Sequence, residues 1–238
     1  MTSARSLFKF RPFNKTSIEL LVNKELWFAR PDSLNDPFEC QFNSDTIFSP
    51  MSESLVISKE EITKTKEIAL DTFNSMGVCS FSRARKNQLM WAHYANEHKG
   101  FCIGFNETKL TKSEPTMKSI DVVYQSDLPS KPVVKKFEKL TAYKLEGKLD
   151  KEAYYSIIGT KYTNWKYERE RRLVLSQSTA FPFSADSVVS IAFGLRMSDR
   201  DKETLKQLLS TPEWKHLKWY QAEKSKEKFA LDFPLIKI

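Results

Sequence analysis

Apolar and polar positions change period several times along the chain, and each change marks the boundary of an element. Leu7-Phe8-Lys9-Phe10-Arg11 alternates apolar with basic residues and ends at Pro12, which predicts a short first strand. Thr16 or Ser17 can cap a helix running to about Asn23, with Ile18, Leu20, Leu21 and Val22 towards the core. Leu26-Trp27-Phe28-Ala29 reads as a second strand, and Gly77-Val78-Cys79-Ser80-Phe81-Ser82 as a third with hydroxyls at alternate positions. A charged helix over Ser58 to Phe73 precedes that third strand. Gln88 to Glu97 has helical periodicity, with Gly100 as its expected stop. Further strands are expected at Phe101–Phe105, Ile120–Tyr124, Arg172–Ser176 and Val188–Phe193. Helix is expected through much of Lys131–Tyr162 and over Ser198–Leu209.

Between these elements, Pro31-Asp32-Ser33-Leu34-Asn35-Asp36-Pro37 must be a loop, because two prolines and three Asx residues favour local turns over a ladder. Strands interleaved with helices of unequal length, without a regular βα period, predict an α+β fold. The expected architecture is a single domain over 1–238, with a mixed or antiparallel central sheet flanked by helices. Residues 195–238 read as a C-terminal helical extension.

Composition narrows the chemistry. The 238 residues are 40% hydrophobic and include 17 Phe, enough for a buried core. No apolar run approaches the roughly 18 residues of a membrane span, and Met1 to Lys15 lacks a secretory apolar stretch, so a cytoplasmic protein that does not enter the membrane is expected. Gly77, Gly100, Gly104, Gly147, Gly159 and Gly194 are the whole glycine set. None of their spacings fits a P-loop, a dinucleotide fingerprint or a nucleophile elbow, which argues against those enzyme classes. Cys40, Cys79 and Cys102 form no Cys-x-x-Cys pair and read as small buried hydrophobes. His93 and His98 would stand about 140° apart on a helix and could not chelate one ion as an i, i+4 pair does. No metal site is expected. The net charge of +8 is uneven: Lys131 to Arg172 holds 12 Lys and Arg against 6 Asp and Glu. Such a segment can attract phosphates, which points to a nucleic-acid or protein acceptor, although a solvated helix face would show the same pattern.

Several groups could carry chemistry. In Trp165-Lys166-Tyr167-Glu168-Arg169-Glu170-Arg171-Arg172, an extended backbone would put Glu168, Glu170 and Arg172 on one face; a helix end would instead pair Glu168 with Arg172. Side-by-side carboxylates need a compensating cation or a task. Arg11 offers a fixed fork of donors to a phosphate or carboxylate, or is simply a surface arginine. Ser80 and Ser82 share a strand face, as they would on any half-buried strand. Asn35 and Asp36 belong to the turn-rich loop, where an Asx turn is the plainer reading. His93 and Tyr94 belong to an aromatic helix that packing alone could explain.

In order, Phe8-Lys9-Phe10-Arg11-Pro12, Leu26-Trp27-Phe28, Asn35-Asp36-Pro37-Phe38-Glu39, Cys79-Ser80-Phe81-Ser82 and Met90-Trp91-Ala92-His93-Tyr94 make a recognisable series. It continues through Lys99–Phe105, Val123-Tyr124, Trp165–Arg172 and Ile191–Gly194. From about Leu7 to Gly194 the chain resembles the uncharacterised bacterial domain-of-unknown-function family 2971, which implies a bacterial cytoplasmic protein linked to phage defence or toxins, with no established reaction. More distantly it is similar to ADP-ribosyltransferases of the arginine, serine, glutamate type. That resemblance implies an ADP-ribosyltransferase-like fold with NAD as substrate. Arg11 would hold the pyrophosphate, Ser80 and Ser82 would shape the nicotinamide site, and Glu168 with Glu170 would steady the ribose as positive charge develops. The chain departs from the pattern in reading Ser-Phe-Ser for Ser-Thr-Ser. It also separates Ser80 from Glu168 by 88 residues, which a large helical insertion would account for.

Two other classes stay open at this point. A metal-dependent nuclease would use Pro31-Asp32 with Glu97-His98-Lys99 on adjacent strands. A non-enzymatic binding or regulatory module would use the charge cluster only to hold the fold.

Overall fold

In the computed structural model, which describes residues 6–43, 58–129 and 151–237, the alternating segment at the start forms β1 (Ser6–Arg11). α1 (Lys15–Asn23) is capped by Asn14, whose side chain accepts from the Ser17 amide, rather than by Thr16 or Ser17. Leu20 and Leu21 of α1 are buried, while Val22, expected in the core, is exposed. β2 (Glu25–Phe28) leads into the proline loop, which makes one 3-10 turn at Pro31–Ser33. Then follow α2 (Lys59–Ser75), β3 (Gly77–Ser82), α3 (Gln88–Tyr94), β4 (Phe101–Asn106) and the short α4 (Glu107–Thr111). The strand expected over Ile120–Tyr124 is two, β5 (Lys118–Asp121) and β6 (Val123–Gln125), divided at Val122.

Of the helix expected over Lys131–Tyr162, residues 131–150 lie outside the described residues. The remainder gives α5 (Lys151–Ile158) and then β7 (Thr160–Tyr162). A 3-10 helix at Thr163–Glu168 precedes β8 (Glu170–Leu175), β9 (Thr179–Pro182) and β10 (Val188–Phe193). The last segment is not a helical extension. After α6 (Asp199–Leu208), capped by Ser198, it returns as β11 (Lys218–Gln221), β12 (Glu223–Lys224), β13 (Leu231–Asp232) and β14 (Leu235–Ile236). β11 and β14 extend the main sheet, so this segment completes the fold instead of decorating it.

The main sheet has eight strands in the order β14-β11-β10-β4-β1-β3-β8-β5, antiparallel except for β10 beside β11. This is the mixed central sheet expected of an α+β domain. On one face Leu7, Phe81, Phe105, Leu173 and Ile191 join Leu21 and Leu205 in the largest core. On the other face Phe10, Met90, Trp91 and Cys102 form a second core, and Val78 and Val174 pack under α2 and α5. All three cysteines are buried free thiols. No helix among the described residues is long and apolar enough to cross a membrane.

α3 ends at Tyr94, three residues earlier than its periodicity predicts. Asn96, Glu97 and His98 all take left-handed φ values, so the chain cannot continue the helix. Gly100 is needed for a different reason from a helix cap. A Cβ there would lie 2.1 Å from the Arg11 carbonyl oxygen, so its glycine lets β4 begin against the end of β1.

One place in the sheet breaks the ladder. β1 pairs with β4 along six residues but with β3 only through Phe8 and Ser82. Beyond that pair the two strands diverge, and at the other end of β3 the place beside Val78 is taken by Ala29, which exchanges both backbone hydrogen bonds with it. The sheet therefore forks between β1 and β3. β3 is held on its far side by β8 along its whole length, so the edge left open by the fork faces β1.

Candidate active site in the fork of the sheet

Strand divergence leaves backbone groups of β3 without a ladder partner, and such groups must be satisfied or solvated. Lys9 spans the gap: its Nζ donates to the Ser80 carbonyl oxygen at 3.1 Å and lies 3.4 Å from Cys79 Sγ. The opening is a cleft of about 290 Å³. Its walls are Phe8–Arg11 of β1, Val78–Ser82 of β3, Trp27 and Ala29, the loop residues Ser33–Asn35, and Met90 and Tyr94 of α3. Glu39, Lys161, Glu168 and Glu170 close it from the β8 side.

The residues singled out in the sequence converge here from distant positions. Arg11, Asn35, Ser80, Ser82, Tyr94, Glu168 and Glu170 all line the cleft. Period-two alternation places Ser80, Ser82, Glu170 and Arg172 on one face of the sheet and Arg11 on the other; the fork is what lets both faces reach one opening. Glu170 stands directly across from Ser82 in register. Glu168 gets there differently. It is the last residue of a 3-10 helix, and Arg169 in the left-handed region turns the chain into β8. Neither the extended expectation nor the i, i+4 pair with Arg172 describes it.

The two carboxylates meet on a cation. Lys161 Nζ is 2.6 Å from Glu168 Oε2, 2.6 Å from Glu170 Oε1 and 2.8 Å from Glu39 Oε1. Arg172, with no exposed side-chain surface, bonds Glu170 Oε2 through Nε at 2.8 Å and the Ile158 carbonyl oxygen through Nη1 at 2.6 Å, and it also bonds Glu39. The Tyr94 hydroxyl donates to Glu168 Oε1 at 2.5 Å, and the Glu170 amide donates to the Tyr124 hydroxyl at 2.8 Å.

Three carboxylates against two cations leave the cluster one negative charge in excess, and a single proton makes it neutral. Glu168 is the place for that proton: burial, then its contact with the Glu170 carboxyl, raises its pKa to about 7 against the pull of Lys161. Burial also opposes ionisation of Glu170, but Arg172, with Glu168 and Lys161, outweighs it and holds this carboxyl far below the usual range. Lys161 is desolvated too, yet Glu170, Glu39 and Glu168 keep its ammonium well above the ordinary lysine value. The arrangement therefore holds a permanently charged carboxylate beside one that can exchange a proton near neutrality.

The other wall is cationic. Arg11 spends only its Nε, on Ser17 Oγ at 3.1 Å, and has no carboxylate partner among the described residues. Burial lowers its pKa, with Cys79 opposing, so an anion placed there would return what desolvation removes. Ser80 lines the cleft, and its Oγ has no hydrogen-bond partner among the described residues. Ser82 Oγ is committed, donating to the Glu168 carbonyl oxygen at 2.7 Å and accepting from the Ala84 amide.

The remaining candidates are structural or peripheral. Asp36 Oδ1 accepts from the Phe38 amide, which is the Asx turn expected of that loop. His93 is exposed and packs its ring near Tyr94 and Tyr167, outside the cleft. Arg172 acts through Glu170 and Glu39 without lining the opening. The nuclease pairing does not form on adjacent strands: Asp32, in the 3-10 turn, pairs with Arg30, while Glu97, in the left-handed turn, pairs with Lys99. Of the basic segment, Lys161, Arg171 and Arg172 are turned inward and paired, so they do not add to a surface patch. The interval between Ser80 and Glu168 holds strands as well as helices, not one helical insertion.

Glu39 and Lys161 were not identified as site residues from the sequence. Glu39 does stand at the end of Asn35-Asp36-Pro37-Phe38-Glu39, but its partner Arg172 lies 133 residues away. Lys161 was one of twelve basic residues in its segment, and only the unexplained Glu168–Glu170 pair hinted that some cation must sit between them.

Residues 90–173 match the family model described as protein of unknown function (DUF2971). The match takes in Tyr94, Lys161, Glu168 and Glu170, and stops short of Arg11, Glu39 and Ser80. No curated protein and no solved structure matches the chain.

Proposed function

We propose that the cleft binds NAD as a substrate and that the protein is an ADP-ribosyltransferase-like enzyme of bacterial defence or toxin type, acting in the cytoplasm on a protein or nucleic-acid acceptor. The observation that carries this reading is the convergence of Arg11 from β1, Ser80 from β3, Glu168 from the end of a 3-10 helix and Glu170 from β8 on one cleft. Arg11 is the anion-binding end, its Nη1 and Nη2, which bond nothing among the described residues, serving the pyrophosphate. Ser80 offers an unengaged hydroxyl to the nicotinamide ribose. Glu170, kept ionised by Arg172 and Lys161, stabilises positive charge on the ribose as the glycosidic bond breaks. The electron pair of that bond leaves with the pyridinium nitrogen, which departs as neutral nicotinamide. The acceptor nucleophile then bonds to the ribose carbon and gives its proton to the Glu168 carboxylate, whose pKa of about 7 suits a general base at neutral pH.

Incubation with labelled NAD and a cell lysate tests this reading through nicotinamide release and label transfer. Wild type should release nicotinamide, and Glu168→Gln should not transfer label while remaining folded. Glutamine suits this position because, with a pKa of about 7, the fold accommodates a neutral side chain there as well as the carboxylate. Glu170→Gln is the less clean variant, since its amide would face Lys161 and Arg172 and lose two buried ion pairs.

One observation favours a second reading, a binding or regulatory module. Both carboxylates already have their charge answered by Lys161 and Arg172, as in a structural ion network. On that reading no nicotinamide is released by wild type, and Glu168→Gln changes stability alone.

A further inference from the structure

We infer that an aromatic and basic strip beside Glu168 docks single-stranded nucleic acid, which as the acceptor rests on the ADP-ribosyltransferase reading above. The strip starts in the 3-10 helix Thr163–Glu168, of which only Glu168 is buried. Trp165 and Tyr167 are half-buried, while Lys166, Arg169 after the turn and His93 on α3 are exposed. Asn87 Nδ2 donates to the Tyr167 carbonyl oxygen and fixes the turn against the start of α3. The rings follow one another without a break: Trp165 to Tyr167 at 6.0 Å between centroids, Tyr167 to His93 at 6.2 Å and His93 to Tyr94 at 6.4 Å. Both ends are tied to the charge cluster, because Lys161 Nζ lies 4.8 Å from the Trp165 centroid and the Tyr94 hydroxyl bonds Glu168. The strip therefore ends at the carboxyl assigned the acceptor's proton.

Two features point to one kind of partner. Phe10 and Trp91 meet edge to face inside a core, whereas Trp165, Tyr167 and His93 leave ring surface to water. Every nucleobase offers a flat face to such a surface. The Lys166 and Arg169 side chains meet no carboxylate among the described residues, although exposed Lys86, Lys99 and Lys109 each find one. An acidic peptide would answer the two cations and leave the rings wet; an apolar partner would cover the rings and strand the cations. A single strand answers both, with bases on the rings and phosphates on Lys166 and Arg169. The ring planes of Trp165 and His93 are inclined to Tyr167 by 41° and 40°, which suits bases splayed out of a stack and not those held in a duplex.

The test titrates the whole chain by fluorescence anisotropy with a labelled oligothymidylate longer than the roughly 4–16 nucleotides of a single-strand site. Its duplex with oligoadenylate and labelled polyglutamate serve as comparison probes. Wild type should bind the single strand more tightly than either. Replacing both cations, Lys166→Gln with Arg169→Gln, should weaken binding and make the slope of log affinity against log salt shallower by about 1.4, at about 0.7 per phosphate contact. Trp165→Ala should weaken it at least about fivefold, the low end for one base–aromatic stack, and Trp165→Phe should restore most of the loss. No binding by wild type, equal affinity for either comparison probe, or full affinity in both the Gln and Ala variants would overturn the inference. Label transfer from NAD in a lysate separates it from the reading it rests on. Labelled material that nuclease destroys supports both. Label that only protease removes overturns the nucleic-acid partner and leaves the transferase reading standing. Oligothymidylate binding without nicotinamide release upholds the strip and overturns that reading.

Discussion

Arg171 and Arg172 are neighbours on β8, point to opposite faces of the sheet, and each organises a network of acidic partners. Arg171 bonds Glu107 and Asp121, and Asp121 in turn meets Arg83. Two cations face two carboxylates there, and Asp121 is largely exposed. Arg172 and Lys161 on the other face meet three carboxylates, all buried, and the set borders the cleft. The first network is balanced and needs no proton. The second is one charge short, and the shortage appears as a carboxyl that titrates near neutrality. Pairing is common to both, and what distinguishes the Arg172 cluster is complete burial together with the charge imbalance.

The largest expected break comes from Arg172→Met, which strands Glu170 and Glu39 with Lys161 alone. Loss of one partner from a buried ion pair costs about 3–5 kcal/mol. Arg171→Met, on the partly solvated network, should cost about 1.5–3 kcal/mol, the value of hydrogen bonds to charged groups. Urea midpoints at constant slope would compare the two. Equal losses would mean that the networks do not differ in kind.

A second effect is the pH dependence of stability. Glu168 has a folded-state pKa raised to about 7, against about 4.3 for an unfolded glutamate. Between those values the folded chain binds more protons than the unfolded one, so Glu168 makes stability fall as pH rises through this window. Glu170 has the opposite sign. Its folded pKa is depressed, so its contribution is present above the unfolded value and is lost only as pH falls well below it. Denaturation at pH 5 and pH 8 should therefore show a decline in wild type that Glu168→Gln removes.

Smaller effects test the cationic wall. Arg11→Ala should weaken NAD binding by about tenfold or more, since a hydrogen bond to a charged group is worth about 1.5–3 kcal/mol, while stability moves by less than about 1 kcal/mol. Ser80→Ala should weaken it by less than about tenfold, as a neutral hydrogen bond contributes about 0.5–1.5 kcal/mol. Titration of both variants with carba-NAD, whose glycosidic bond is not cleaved, reads these numbers. If Arg11→Ala binds as wild type does, the Arg11 guanidinium is not the anion site.

Much of the fold was legible because local patterns decide it. The alternation in Leu7–Arg11 and Gly77–Ser82, the runs in Phe101–Phe105 and Val188–Phe193, and the Ser198 cap each report their own element. What local pattern could not show was strand pairing. Leu231 and Leu235 lie in a short apolar stretch, Phe229 to Ile236, interrupted by Asp232 and Pro234, and only their partners in β12 and β11 make them strands. The site divides in the same way. Arg11, Ser80, Glu168 and Glu170 carried a signal in residue type and order. Lys161 and Glu39 did not, because their meaning lies in contacts over long separations. The fork itself is a failure of β1 and β3 to keep pairing, and nothing in either strand's alternation announces it.

The central claim is that the unbalanced cluster and Arg11 serve glycosidic chemistry on NAD. Its most direct test is nicotinamide release by wild type and Glu168→Gln at pH 7.5, with label transfer followed and folding confirmed by circular dichroism. The account predicts release and transfer by wild type, and no transfer by the folded variant. Absence of release from a folded wild type supplied with protein and nucleic-acid acceptors would contradict it and leave the cluster a brace like its neighbour.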